Sequence, residues 1–485
     1  MMALRSLRRK FSCKIYEHAQ DAVEDIRHRS SICIGGYGAC GVPENLVKAL
    51  SELGSYDLHV YSLSAAIPDF GVNLLLKNRQ VKKLSTSHIG HNKLLNSLYM
   101  SGELELEMLP DGTLTSKVRS GGAGIPGFYI RTGVDTVVEE GNYPLKYLPG
   151  GKRVEIYSTG KEKRRFEKVD CLFEESILPE FAFVKAWKAD TAGNLIYKRT
   201  AKNINPDIAT CARVTIAEVE EIVPEGELDP DEIDTSSIFV KRLIKGENYQ
   251  KPIVPFGENE DPNNPAYKSK CLIAKRASKE LEDGMYVHLG LGMPYLVSNY
   301  VPEEKTIFFH STPGVLGMWT KAEGDSLDPD IIDSNHENIK LAPGSACFSA
   351  NTSMDMIRAG HLDLVMSGAL EVSQNGDLSN WVVPGVWTRG IGSTMDAIAS
   401  KESKIVVLTQ HSYKGKPKLK KECSYPLTGK RCVDTVITEK AVFEFKREGG
   451  MTLTEKAPGV SLEDIKRNTP CRFQVASDLK DMDLS

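Results

Sequence analysis

The sequence lacks most of the features that would class it at sight. No apolar run approaches the roughly 18 residues needed to cross a bilayer, so no membrane partner is expected. Charge of neither sign dominates: 61 Lys and Arg stand against 65 Asp and Glu, a formal net charge of −4. That balance gives no electrostatic case for nucleic acid. The 10 cysteines are scattered without a C-x-x-C pair, and several lie in apolar, strand-like runs. Such usage fits thiols in a reducing compartment and excludes a disulfide scaffold. His88 and His91 have H-x-x-H spacing but no accompanying Cys or carboxylate cluster, so no metal is expected. There is no G-x-x-x-x-G-K-[ST] loop and no complete dinucleotide fingerprint.

What remains is an ordinary globular composition over 485 residues, 41% hydrophobic and 26% charged, with 40 Gly and 24 Pro. That length allows about two to four domains with a sizeable core. The first 13 residues stand apart. Arg5, Arg8, Arg9 and Lys10 precede the first acid, Glu17, and Leu4, Leu7 and Phe11 share one helical face. An acid-free, Arg-rich amphipathic start reads as a mitochondrial transit segment, which places the mature chain in the matrix.

The chain then divides. Residues 246–269 hold Pro252, Pro255, Gly257, Glu260, Asp261, Pro262 and Pro265 without apolar period, and read as a hydrophilic linker. It separates an N-terminal half, 14–245, from a C-terminal half, 270–475, with a tail at 476–485. The halves begin alike. Ile32-Cys33-Ile34 leads into Gly35-Gly36-Tyr37-Gly38 and a helix with Leu46, Val47 and Leu50; Tyr286-Val287-His288-Leu289 leads into Gly290-Leu291-Gly292 and Leu296, Val297. A second echo joins Phe183–Ala186 and its Gly193 turn to Leu364–Met366 and its Gly376 turn. Strands near 214–219 and 404–409 follow in the same order. The expected fold class is α/β: two related α/β domains in one chain, with the active-site cleft between them.

Glycine turns between strand and helix serve either to let a phosphate or acyl group approach backbone amides or to supply positive φ. Two further glycine loops, Ser120–Gly127 and Gly390-Ile391-Gly392-Ser393, raise the expectation of one ligand-lined cleft.

The run from Gly35 to Leu46 resembles the first signature of the family I coenzyme A transferases. Tyr99–Glu107, Gly121–Pro126, Val184–Asp190, Arg242–Glu247 and Pro426–Gly429 are similar to its mitochondrial succinyl-CoA:3-ketoacid branch, and the likeness runs from about 14 to 475. The resemblance implies a reaction that moves CoA from succinyl-CoA to acetoacetate. It implies no permanently bound cofactor, a CoA thioester as substrate or ligand, short 3-oxo or dicarboxylic acids as partners, and a homodimer or a heterodimer with a relative. In that family one glutamate attacks the acyl-CoA and carries CoA as a thioester, within an [LF]-[HQ]-S-E-N-G motif. Here the corresponding residues are His310, Ser311, Thr312, Pro313 and Gly314. Glu-Asn has become Thr-Pro, and a hydroxyl offers only an ester dead end where an activated acyl carbon is needed. Pro313 also removes a backbone N–H that could have served an oxyanion.

Other departures accompany it. The family's S-N-N-A-G asparagines align with Leu63 and Ser64, its G-E-N reads Gly90-His91-Asn92, and its G-M-G-G-A-M-D reads Gly390-Ile391-Gly392-Ser393-Thr394-Met395-Asp396. The resemblance therefore assigns Gly36, Gly38, Leu63, Ser64, His91, Gly122, Gly124, Ser311, Pro313, Gly314, Gly390, Gly392 and Ser393 to the substrate cleft. Thr312 stands at the nucleophile position. Three functions are expected to compete: an active transferase, a CoA- or acyl-CoA-binding pseudoenzyme pairing with an active relative, and a thioester hydrolase using His310 or His91 to activate water.

Overall fold

The computed structural model describes residues 13–253, 261, 263–446 and 450–484. The expected transit segment falls outside them except for Cys13, as does part of the expected linker. The linker's C-terminal end is already helical, in Pro265–Ala277.

Each half is built on one large sheet. In the first, the strands lie in the spatial order Lys14–Tyr16, Val240–Lys245, Val214–Val223, Phe181–Asp190, Ser31–Ile34, Leu58–Ser64, Val81–His88 and Glu105–Met108. All of these neighbours pair in parallel. Parallel sheets are covered on both faces, so their strands are apolar along their length. Phe181 and Phe183 point into one core cluster with Ile32, Ile34, Leu58 and Val60. Ala182, Val184 and Ala186 point into the opposite cluster with Cys33 and Leu63. This is the period-two alternation of a strand expressed as two cores.

The second sheet runs Ile339–Cys347, Val315–Lys321, Phe308–Ser311, Tyr286–Leu289, Leu364–Gly368, Lys404–Leu408, Thr435–Ile437, Ala441–Phe445, Met451–Lys456 and Gln474–Asp481. Its centre repeats the first. Ser31–Ile34 lies between Phe181–Asp190 and Leu58–Ser64, and Tyr286–Leu289 lies between Leu364–Gly368 and Phe308–Ser311, all parallel. The two-half α/β architecture expected from the glycine-turn echo is present. The expected tail needs correction: Gln474–Asp481 is a strand paired to Met451–Lys456, so the second sheet extends past residue 475.

The halves dock through backbone as well as side chains. The Ile89 and Gly90 amides donate to Arg389 O, Asp111 N–H to Gly392 O, Thr200 N–H to Asp330 O and Ala350 N–H to Asn203 O. Asp396 accepts from Gly112 N–H and from Thr132 Oγ1, both at 2.8 Å.

Candidate active site between the two halves

The strand Phe308–Ser311 ends at this junction, and its register on Tyr286–Leu289 sets His310 beside His288. Both rings are buried. Their Nδ1 atoms lie 3.1 Å apart. His288 Nε2 lies 3.2 Å from Ser393 Oγ, and His310 Nε2 lies 2.9 Å from Ser353 Oγ. Burial lowers His288 to about 4 and pushes His310 well below its ordinary value, with the His288 charge adding to the latter. Both imidazoles are therefore neutral, and each ring nitrogen has a partner, as buried polar groups require.

Thr312 follows directly and is 2% exposed. Its hydroxyl donates to Ser393 Oγ at 3.4 Å, and its amide donates to Ser334 Oγ at 2.9 Å. Ser311 Oγ lies 2.7 Å from Ser334 Oγ and accepts from Ser334 N–H at 2.7 Å. Tyr37 of the first half closes the group by donating its hydroxyl to Ser334 O at 3.0 Å. Among the described residues no carboxylate bonds to Thr312. Pro313 is buried in the turn, and Gly314 is obligatory there: at φ 109°, a Cβ would sit 2.0 Å from Phe348 O.

The glycine turns are built as structure. In the first half, Gly35 N–H donates to Phe183 O, Gly36 N–H to Asn203 Oδ1 and Tyr37 N–H to Cys40 O. In the second, Gly290 N–H donates to Met366 O and Gly292 N–H to Asn335 Oδ1. Amides so committed do not cradle a phosphate. Gly38 and Gly390 instead permit close approach of the halves. A Cβ at Gly38 would lie 2.7 Å from the His336 ring, and one at Gly390 would lie 2.1 Å from Ser87 O. Gly392 differs, since a Cβ there meets nothing within 4 Å.

Three of the expected cleft residues sit elsewhere. Leu63 points into the core beneath the sheet, while its neighbours Ser62 and Ser64 border a small hollow of ≈ 10 Å³ with Gly36 and Phe70, a space for about one water. Gly122 and Gly124 do not join the other glycine loops. Gly122 ends the helix Asp111–Gly122 and Gly124 lies just beyond it; the helix's first residue makes the Gly392 contact, so its rise carries them roughly 16 Å from that contact. Gly122 packs on Thr210 within the first half.

His88 and His91 do not converge. His91 Nε2 meets Arg389 Nη2 at 2.8 Å, whereas His88 packs against His336 with ring centroids 5.4 Å apart. Among the described residues no three His, Cys, Asp or Glu side chains are grouped to hold a metal ion.

His288, Ser334 and Ser353 were not singled out from sequence. A faint signal existed for His288: a histidine inside an apolar strand, just before a glycine turn, as His310 is just before Thr312-Pro313. Asp111, at the junction, was missed as well; burial raises it to about 7, with Ser87 opposing and Asp396 adding to the shift.

A coenzyme A transferase family model matches residues 16–246 and 271–468, nearly the span of the two sheets. This chain belongs to the coenzyme A transferase family. Within it, the mitochondrial succinyl-CoA:3-ketoacid coenzyme A transferase 2A of Rattus norvegicus is 43% identical over 474 residues, covering 97% of this chain and 91% of that one. The mitochondrial succinyl-CoA:3-ketoacid coenzyme A transferase 2 of Homo sapiens is 42% identical over 477 residues, covering 98% and 92%. One probable succinyl-CoA:3-ketoacid coenzyme A transferase polypeptide of Bacillus subtilis is 42% identical over 240 residues, 50% of this chain and 93% of its own length, so half of this chain matches a separate polypeptide. In fold, the chain is similar to an acyl-CoA transferase apoenzyme of Escherichia coli O157:H7, with a TM-score of 0.79, 23% identity, and 98% of this chain and 96% of that one covered.

Proposed function

We propose that this transferase-family chain binds short acyl-CoA thioesters between its halves and that the family's CoA transfer is lost or strongly impaired in it. The observation that carries the reading is Thr312. A residue at the nucleophile position of the family motif is a hydroxyl whose bonds run to Ser393 and Ser334, with no carboxylate among the described residues bonded to it. A transfer that passes CoA through an enzyme-bound acyl carbon needs a carboxylate there. The ligand class follows from the family and from near full-length likeness to the succinyl-CoA:3-ketoacid enzymes. On the same ground the acid partners are short 3-oxo or dicarboxylic acids, and the location is the mitochondrial matrix. The functional unit is a homodimer or a heterodimer with an active relative.

The test compares acetoacetyl-CoA consumption with succinate by the natural chain and by a Thr312→Glu, Pro313→Asn double variant, beside calorimetric CoA binding. Loss of a covalent nucleophile costs on the order of 10⁴-fold or more in rate, so the natural chain is expected to bind CoA without transfer and the double variant to gain activity. Transfer at equal rates in both would overturn the reading.

A further inference from the structure

The hydrogen bonds around Thr312 admit a proton direction that makes Ser393 the donor to His288. In that direction Ser353 Oγ donates to Ser311 O at 3.4 Å and accepts from His310 Nε2–H at 2.9 Å. His310 Nδ1 is then bare and accepts from His288 Nδ1–H. That leaves His288 Nε2 bare and facing Ser393 Oγ at 3.2 Å. Ser393 in turn accepts from the Thr312 hydroxyl, which frees its own proton for His288. The series therefore ends as a serine hydroxyl on a bare imidazole nitrogen, with the ring's other nitrogen held by a hydrogen-bond acceptor. This is the geometric role set of an activated nucleophile, its base and an orienting group.

Two further observations fit a chemical role for Ser393 better than a packing role. Ser393 stands at the N-terminus of the short helix Thr394–Ala397, yet makes no side-chain capping bond, the usual use of a serine there. Space lies beside it, because a Cβ on Gly392 would meet nothing within 4 Å, while Ser393 itself is buried.

We propose that Ser393, with His288 as its base and His310 as the group orienting that base, hydrolyses the acyl-CoA thioester bound between the halves. The proposal rests on the acyl-CoA reading above: a thioester carbonyl brought to Thr312 is also within reach of Ser393 Oγ, 3.4 Å from the Thr312 hydroxyl. Ser393 Oγ adds to the carbonyl carbon as its proton passes to His288 Nε2. The C–S bond then breaks, and CoA leaves with that proton as the free thiol. Water next attacks the Ser393 ester, giving a proton to His288 Nε2 that returns to Ser393 Oγ as the acid is freed. The balance is acyl-CoA plus water to acid plus CoA. Because His310 is neutral where a carboxylate would stabilise the imidazolium more strongly, turnover is slow relative to a carboxylate-supported triad.

The experiment incubates the full-length protein with acetoacetyl-CoA and no acceptor acid, follows free thiol, and maps acid-quenched protein by peptide mass spectrometry. Thiol release is expected, with an acetoacetyl ester on Ser393. Ser393→Ala should lower release on the order of 10³-fold or more, and His288→Asn comparably. The adduct on the natural chain is read without any variant, so a substitution that disturbs folding leaves the test intact. CoA binding without thiol release overturns the serine route alone. Absence of CoA binding overturns the acyl-CoA reading and the serine route with it. Release that persists in Ser393→Ala, or an adduct on another residue, also overturns the assignment.

Discussion

The two halves place the same strand–glycine turn unit at the centre of their sheets and fill its surroundings differently. In the first half the strand Ser31–Ile34 and its neighbour Leu58–Ser64 meet through Cys33 and Tyr61, and the turn's amides are tied to Phe183, Asn203 and Cys40. In the second half the same two positions in the topology carry His288 and His310. A parallel pair at the centre of a covered sheet normally holds apolar side chains. Two imidazoles there persist because every ring nitrogen is hydrogen-bonded, since a buried polar group without a partner costs more than the bond contributes. A repeated topology thus fixes where a site lies, and the residues on one copy alone decide what it does.

That contrast is sharpest at His310. His310→Leu removes the ring partner of His288 Nδ1 and leaves Ser353 only its bond to Ser311 O, and a loss of about 3 kcal/mol is expected in urea unfolding. Ser62→Ala in the matching first-half strand removes one bond to Ser64 O, and should cost under about 1 kcal/mol. Equal costs would mean the imidazole pair is not integrated as described.

The junction between the copies gives the next effect. Asp396 is fully buried and held by Gly112 N–H and Thr132 Oγ1 of the other half, with Arg358 at 3.8 Å. Asp396→Ala strands those donors and should destabilise by about 2–3 kcal/mol, with hydrogen exchange rising first at the start of Asp111–Gly122.

The two glycine turns are separated by a smaller difference. Gly38→Ala meets both a left-handed φ of 58° and the His336 ring 2.7 Å away, so about 2–3 kcal/mol is expected. Gly292→Ala meets only φ 81° with open space around it, and should cost about 1 kcal/mol. A reversed order in thermal unfolding would show that the His336 contact yields easily.

A pH slope gives a further effect. Burial, with Glu337 adding, raises Asp333 to about 7, above its ordinary value of 3.8. The fold therefore favours the neutral acid, and this contribution is complete below pH 3.8 and is lost as pH rises through 7. Asp333→Asn should unfold at higher denaturant than the natural chain at pH 8, with the difference shrinking toward pH 4.

Much of this was legible in the residues. The alternation in Phe181–Val184 names two core faces, and the paired Gly turns name the internal repeat. Thr312-Pro313 stands where the motif of the resembling family has Glu-Asn. The glycine loop at 120–127 is not brought beside the other glycine loops, since a loop's composition does not say what it packs on: Gly122 meets Thr210 within the first half. Leu63 misled for a related reason: adjacent strand residues face opposite sides, and one step in register separates the core from the hollow beside Ser64.

The sequence by itself determined the family, the two α/β halves and the absence of a glutamate at 312. The halves rest on local periodicity and turn chemistry, the family on its motif resemblance and residue 312 on identity alone, all carried by neighbours along the chain. Only the tertiary structure decided that His288, His310, Thr312, Ser353 and Ser393 share one hydrogen-bonded series. Their separations along the chain reach 105 residues for His288 and Ser393, and strand register and the docking of helices and loops on the second sheet bring them together. Ser353, which joins that series to the carbonyl of Ser311, reaches it across 42 residues of chain, a closeness that no local pattern encodes.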